Sequence, residues 1–69
     1  MKTGTLILRY LLASQSTTDS IAEHMQQPEP VVRAFCEDLE SESLVERRPI
    51  ANGALTAWCL TRKGREQVS

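Results

Sequence analysis

The chain has 69 residues, a formal net charge of −1 and two cysteines. This length predicts one domain over residues 1–69 with a small hydrophobic core, and it argues against the deep cleft of an enzyme. No apolar stretch approaches the roughly 20 residues that a membrane-spanning helix needs, so we expect a soluble, cytoplasmic protein without a membrane partner. Cys36 and Cys59 form no CxxC motif, which favours two buried, reduced thiols.

Charge is distributed unevenly along the chain. Residues 14–42 have a net charge of −6 and residues 43–69 a net charge of +3, while Lys2 and Arg9 add +2 at the N-terminus. Nucleic-acid affinity depends largely on phosphate neutralisation, so the C-terminal part and the N-terminus would supply the attraction. A solvated charged surface without a partner is the alternative.

Apolar spacing predicts a first helix over about residues 4–14. Its apolar residues indicate a broad buried face: Leu6, Ile7, Leu8, Leu11 and Leu12. Thr17 is a suitable N-cap for a second helix over about residues 18–26, because its hydroxyl can accept free backbone N–H groups of the first turn. The inward face of that helix consists of Ile21, Ala22 and Met25.

The segment QPEPVV predicts the start of a third helix over about residues 29–42, because a proline in the first turn loses no hydrogen bond. A core stripe follows at helical spacing, formed by Val32, Phe35, Cys36 and Leu39. The opposite, outward face consists of Pro30, Val31, Arg33, Ala34 and Glu37.

A β-hairpin is predicted over about residues 44–61. Two runs of strand-forming residues surround Asn52-Gly53, and this pair supplies the positive φ angles of a tight turn. Strand alternation places Trp58 and Leu60 on one side, which we expect to face the helices, and Ala57 and Cys59 on the other. The closing TRKGREQVS indicates a short basic end with room for one helical turn, too brief for a dimerisation helix of its own.

In this order the elements predict an α+β, mainly α fold, a winged helix-turn-helix with a three-helix core and a C-terminal two-stranded β-hairpin wing. About four-fifths of the chain resembles the winged-helix domain of MarR-type and related small bacterial or phage transcriptional regulators. The motifs that carry the resemblance are Ala22-Glu23, Val32 with Cys36, Leu39-Glu40, Leu44-Val45-Glu46-Arg47, Leu60-Thr61 and Gly64-Arg65-Glu66. Gln26 and Ser43 replace family glycines, so both turns adopt a costlier conformation or differ in shape.

The resemblance implies a small DNA-binding transcriptional regulator whose third helix enters the major groove of double-stranded DNA. In such folds the connection after the first helix often adds a strand residue to the sheet. Where the family often carries polar contact residues, this chain has Pro30, Val31 and Ala34, which leaves Arg33 as the one strong base reader. Glu37 could accept a hydrogen bond from cytosine, or it is a solvated surface charge.

The wing is the more basic element. The cations of the wing and of the chain after it are Arg47, Arg48, Arg62, Lys63 and Arg65. We expect folding to bring them to one end of the domain, on the phosphate backbone or an adjacent minor groove; plain solvated charges are the alternative. Thr18 and Asn52, at the start of the second helix and the tip of the wing, complete the predicted DNA-binding set.

The sequence gives little support for a catalytic, metal or cofactor site. His24 has no metal ligand at a suitable spacing, and no Gly-rich phosphate loop, Ser/His/Asp set or carboxylate pair is present, so we expect no enzyme, no metal and no cofactor. A homodimer on a two-fold operator is one arrangement open to so short a chain. The alternative function is a FeoC-like winged helix that binds a protein partner, which the acidic helical surface favours.

Overall fold

The computed structural model describes residues 3–68. Met1, Lys2 and Ser69 lie outside the described residues, and with them the positive charge that Lys2 was expected to contribute. The elements in chain order are α1 (Thr3–Ala13), β1 (Ser16–Thr17), α2 (Thr18–Met25), α3 (Glu29–Ser41), β2 (Val45–Ile50), β3 (Leu55–Leu60) and α4 (Arg62–Val68). Between residues 3 and 68, no helix combines the length and apolar character needed to cross a bilayer.

The sheet is antiparallel, with strand order β1-β3-β2. Trp58 in the central strand pairs with Ser16 on one side and with Arg47 on the other, and the hairpin register runs from Val45 opposite Leu60 to Ile50 opposite Leu55. The α+β, mainly α winged helix-turn-helix predicted from the sequence is confirmed. The connection after α1 contributes the two-residue strand β1, as expected from the resemblance, and the structure adds a complete fourth helix.

The core lies between the helices and one face of the sheet. Buried apolar side chains come from every helix of the predicted trio and from both wing strands: Ile7, Leu8, Leu11, Ile21, Ala22, Val32, Cys36, Leu39, Leu44, Val45, Trp58 and Leu60. Burial of Trp58 and Leu60 against the helices agrees with the predicted alternation. Ala57, expected on the outer face, is nonetheless 1% exposed, because its short side chain lies on the central strand between Thr17 and Arg48.

The buried face of α1 is narrower than predicted. Ile7, Leu8 and Leu11 are buried, whereas Leu6 and Leu12 are 41% and 40% exposed. Successive residues of an α-helix are separated by about 100°, so Leu6 and Leu12 lie on opposite flanks of the buried stripe. Neighbouring elements cover only the centre of that stripe.

The helix cap and the turns have the conformations that their residues favour or require. Thr17 caps α2, its hydroxyl accepting the Ser20 N–H at 3.2 Å. Gln26 and Ser43, which replace family glycines, both adopt left-handed conformations with φ of 55° and 64°. The wing loop also has positive φ at three consecutive positions, Ala51, Asn52 and Gly53, so the Asn-Gly pair predicted the turn but not its full extent.

The single helical turn predicted at the C-terminus is too short, because α4 has seven residues. Thr61 caps this helix: its hydroxyl accepts the Gly64 N–H at 3.0 Å and donates to the Ser43 carbonyl at 2.6 Å. Gly64 is buried, and the Lys63 ammonium donates to the Glu42 carbonyl at 3.0 Å. These contacts hold α4 against the turn between α3 and β2.

Candidate nucleic-acid interface

A groove lies between the N-terminus of α2, the outward face of α3 and the wing. We call it the recognition groove; it is lined by Thr17, Thr18, Asp19, Glu29, Arg33, Glu37, Arg47, Ala54, Leu55, Thr56 and Trp58. Four of the sequence-predicted contact residues line this groove: Thr18, Arg33 and Glu37 from the helices and Arg47 from the wing. The fold therefore places a helix face and a hairpin beside one another on a single side of the domain.

The predicted outward face of α3 is exposed. Pro30, Val31, Arg33, Ala34 and Glu37 all belong to the exposed class, while the opposite stripe of α3 is buried or half-buried. The Arg33 guanidinium forms an ion pair with Glu29, one turn earlier, and the arginine side chain remains 59% exposed. An exposed pair of this kind is weak, so the guanidinium can exchange its partner at small cost.

Arg47 has a richer environment than the sequence indicated. Strand alternation puts it on the helix-facing side of β2, opposite Trp58, and its guanidinium carbon lies 5.0 Å from the Trp58 ring centroid. Its Nε lies 3.0 Å from Glu40 Oε2, and an Nη lies 3.5 Å from Glu37 Oε2. A cation held over an indole and between two carboxylates is oriented toward α3.

Arg48 lies on the other face of the hairpin. Consecutive residues of a strand point to opposite sides, and the guanidinium of Arg48 pairs with Glu46, two positions earlier on the same face, at 3.1 Å. Arg47 and Arg48 therefore do not form one cationic surface, although they are adjacent in sequence.

The basic residues of α4 are also separate from the recognition groove. Leu60, which precedes α4, pairs with Val45 at the end of the hairpin opposite the loop. Lys63 contacts the C-terminal end of α3, and Arg62 lies 4.0 Å from Glu66 within α4. The prediction that folding gathers the cations at one end of the domain is wrong, because strand alternation and the length of the hairpin separate them.

Thr18 and Asn52 have different surroundings. The Thr18 hydroxyl accepts the Trp58 indole N–H at 2.8 Å, a contact across 40 sequence positions that joins α2 to β3. Asn52 is exposed in the wing loop with φ of 57°. Sequence reasoning missed Glu29, Glu40 and the indole as partners of the arginines; only the i, i+4 spacing of Glu29 and Arg33 was a readable signal.

Acidic side chains offset the positive charge of the recognition groove. Two arginines, Arg33 and Arg47, face three carboxylates, Asp19, Glu29 and Glu37, among its lining residues. The groove thus has a formal charge of −1 and no excess of positive charge. Any phosphate that approaches it has to displace carboxylates from the guanidinium groups.

The thiol of Cys36, on the buried face of α3, is not ionised. Burial raises the pKa of Cys36 to about 12, with a smaller contribution from the charge of Glu37, so the thiol is neutral at ordinary pH. In the part of the chain that the structure describes, no group of three or more His, Cys, Asp or Glu side chains is arranged to hold a metal ion. The chemistry of this face is therefore that of charge and hydrogen bonding.

These elements and their order define a winged helix-turn-helix protein. The family model described as FaeA-like protein matches residues 2–62, so the chain belongs to the FaeA-like family. A comparison with curated proteins finds no match. The MarR-type resemblance inferred from the sequence is confirmed by solved structures of similar fold, which include MarR-family winged-helix transcriptional regulators.

Three solved structures illustrate the similarity. A mutant of ZitR from Lactococcus lactis has 25% sequence identity and a TM-score of 0.93, covering 99% of this chain and 47% of that chain. The MepR–DNA complex of S. aureus has 26% identity and a TM-score of 0.92, covering 99% and 58%. An S. aureus MepR mutant bound to an oligodeoxyribonucleotide has 28% identity and a TM-score of 0.88, covering 94% and 50%.

The chain spans about half the length of these regulators. Their class is a regulatory one, in agreement with the expectation that the chain is not an enzyme. The FeoC-like alternative is not favoured by the comparisons.

Proposed function

We propose that this protein is a small transcriptional regulator that binds double-stranded DNA, with α3 in the major groove and the wing on the phosphate backbone. The observation that carries the proposal is the recognition groove, in which the exposed Arg33 of α3 and Arg47 of β2 line one surface. Support comes from S. aureus MepR, which shares 26% identity over nearly the whole of this chain and has been solved in complex with DNA.

Arg33 is the residue that would read a base. Its side chain is 59% exposed and its guanidinium pairs with Glu29, so it can exchange that carboxylate for the O6 and N7 acceptors of guanine. A bidentate contact of this kind discriminates by about 1–3 kcal/mol. Pro30, Val31 and Ala34 offer apolar contacts suited to a thymine methyl group, and they add little further discrimination.

Arg47, Thr18 and Asn52 would position the domain. Arg47 is half exposed and can reach a phosphate at the edge of the groove if Glu37 or Glu40 releases it. The Thr18 hydroxyl accepts from the indole, which leaves its own proton free to donate to a phosphate oxygen. Asn52, at the tip of the wing, would meet the adjacent backbone or minor groove.

Fluorescence anisotropy with labelled duplexes tests this proposal. The protein is titrated onto a random-sequence duplex and onto duplexes from its genomic neighbourhood at two salt concentrations. We expect binding that weakens with salt, because phosphate contacts release counterions. Absence of binding at low salt would refute the proposed function and would favour a protein partner.

Three single variants separate the roles. Arg33→Ala is expected to lose the preference between duplexes, whereas Arg47→Ala weakens binding to all of them and lowers the salt slope by about one. Arg48→Ala is the matched control on the same strand, because its side chain lies on the opposite face of the hairpin. Equal losses for Arg47→Ala and Arg48→Ala would contradict the assignment of the recognition groove.

A further inference from the structure

The tip of the wing carries no charge and exposes an apolar side chain. We call residues 49–56 the wing tip; no Asp, Glu, Lys or Arg occurs there or in the rest of β3. Leu55 is 50% exposed, more than Leu6 at 41% or Leu12 and Val31 at 40%, the other large apolar residues exposed within residues 3–68. The element that the proposed function places on DNA therefore ends without a cation for a phosphate.

Leu55 lies where a duplex would meet it. It lines the recognition groove together with Arg33 and Arg47, so a DNA molecule that fills the groove also covers this leucine. The edge of β3 is open beside Leu55, because β1 pairs only with Ala57 and Trp58. An apolar side chain thus shares the groove with the two arginines that would contact DNA.

A second aliphatic residue supports Leu55. Ile50 is its partner across the two strands, and directly paired residues project from the same face of a hairpin. The pair is the last one before the loop, where Ala51 has a φ of 52° and its carbonyl accepts the Ala54 N–H at 3.0 Å. Left-handed backbone is costly for alanine, and the tight turn that it forms presents the pair at the end of the hairpin.

The dimensions of the wing tip suit a wedge. Neighbouring strands lie about 4.8 Å apart, so a two-stranded ribbon with its side chains is wider than the roughly 6 Å minor groove of B-DNA. A single aliphatic side chain does fit, and DNA-bending proteins insert leucine or isoleucine there between base steps. A protein partner fits less well, since a stable interface uses about 20–30 residues a side and the wing tip has eight.

We infer that Leu55, supported by Ile50, enters the minor groove beside the site of α3 and bends the duplex. The inference rests on the proposed function, because it takes the wing to lie on DNA. A wedge of this kind opens the minor groove and kinks DNA toward the major groove by about 20–90°. Pyrimidine–purine steps such as TA unstack most easily, so the wing tip selects such a step without a hydrogen bond to any base.

Energy transfer between dyes at the two ends of a duplex tests the bend. The probe is a duplex of about 30 bp, far shorter than the persistence length of DNA, with the genomic-neighbourhood sequence that binds tightest in the anisotropy titrations. We expect the transfer efficiency to rise when the full chain binds. Binding without a rise would overturn the wedge and leave the proposed function intact, whereas absence of binding at low salt would remove both.

Leu55→Ala shortens the wedge. It should reduce the bend by about half or more and weaken binding about five-fold, with the salt slope unchanged, because the lost contact is apolar and releases no counterion. Leu55→Met retains an apolar side chain of similar volume and should retain the bend. Leu12→Ala is the matched control and should change neither quantity, since Leu12 is an exposed leucine outside the recognition groove.

A series of probes locates the wedge on the DNA. Each pyrimidine–purine step of the duplex is replaced in turn by AA, which is stiffer. One replacement should lower the affinity of the original protein about three-fold and leave that of Leu55→Ala unchanged, whereas a lost base contact would weaken both proteins. Circular dichroism verifies that each variant is folded. A bend that persists in Leu55→Ala, or a replacement series that affects both proteins equally, would overturn the inference.

Discussion

Gly64→Ala should destabilise the protein, although alanine is the better helix former. A Cβ at position 64 would lie 2.1 Å from the Leu44 carbonyl oxygen and 3.0 Å from Leu60 Cδ2. Ordinary van der Waals contact begins at about 3.4 Å, so the oxygen and the new methyl group would have to separate by about 1.3 Å. The methyl group therefore has no space without a displacement of backbone.

That displacement is costly because the Leu44 carbonyl is already engaged. It accepts the Thr61 N–H at 3.1 Å, just before α4 begins. Overpacking costs about 1–3 kcal/mol and loss of the hydrogen bond about 1 kcal/mol, while helix propensity returns at most about 1 kcal/mol. The expected net loss is about 1–3 kcal/mol, a large part of the stability of so small a domain.

Urea denaturation followed by circular dichroism measures the loss, and a matched glycine provides the control. Gly4 also lies in a helix, and among residues 3–68 a Cβ there would meet Leu39 Cδ2 alone, at an ordinary 3.5 Å. Gly4→Ala is expected to be neutral or to stabilise by up to about 1 kcal/mol. If Gly64→Ala were as stable as the original protein, the close packing of α4 on the turn before β2 would be refuted.

Four further changes test the surroundings of the recognition groove and the core. Thr18→Val should destabilise by about 1–3 kcal/mol in urea, because the buried Trp58 indole N–H loses its acceptor; an unchanged midpoint would mean that another group or water replaces it. Gln26→Gly should stabilise by about 0.5 kcal/mol in the same assay by relieving the left-handed conformation, and a loss would show that the glutamine side chain contributes. Burial raises the pKa of Cys36 to about 12, against 9.0 in the unfolded chain, so the neutral thiol contributes its full stabilisation below pH 9. As pH rises beyond 9, the free energy of unfolding should fall by up to about 1.4 kcal/mol per pH unit. Cys36→Ala should lack this part of the pH dependence, and equal slopes in the two proteins would contradict the reasoning. Glu37→Gln should raise DNA affinity about three-fold at low salt and less at high salt, since one carboxylate no longer opposes phosphate; a decrease in anisotropy titrations would instead favour Glu37 as a base contact.

Much of the fold could be predicted from interactions between residues that are close in sequence. Thr17 caps a helix with its own hydroxyl, and the Asn52-Gly53 pair favours positive φ, so both features depend on residues a few positions apart. Helical spacing identified the buried stripe of α3 for the same reason. Where the prediction was wrong, at Leu6 and Leu12, the pattern could not reveal how much of α1 the other elements cover.

The pattern of charges was less informative than it looked. A run of basic residues after Ser43 predicted one cationic surface, but Arg47 and Arg48 project from opposite faces of β2 and α4 begins at the far end of the hairpin. Alternation along a strand was available from the sequence and could have separated the two arginines. Alternation does not indicate which carboxylates form ion pairs with Arg47 and Arg48.

The sequence by itself determined the first three helices, the hairpin, their order and the side of α3 that faces outward, because helix caps, turn residues and apolar spacing act over a few positions. Only the tertiary structure decided which charges meet. Arg47 lies between Glu37, Glu40 and Trp58, and the Trp58 indole reaches Thr18, because packing brings distant segments within a few ångströms of one another. Electrostatic partners depend on distance in space, and distance in space follows from the packed core.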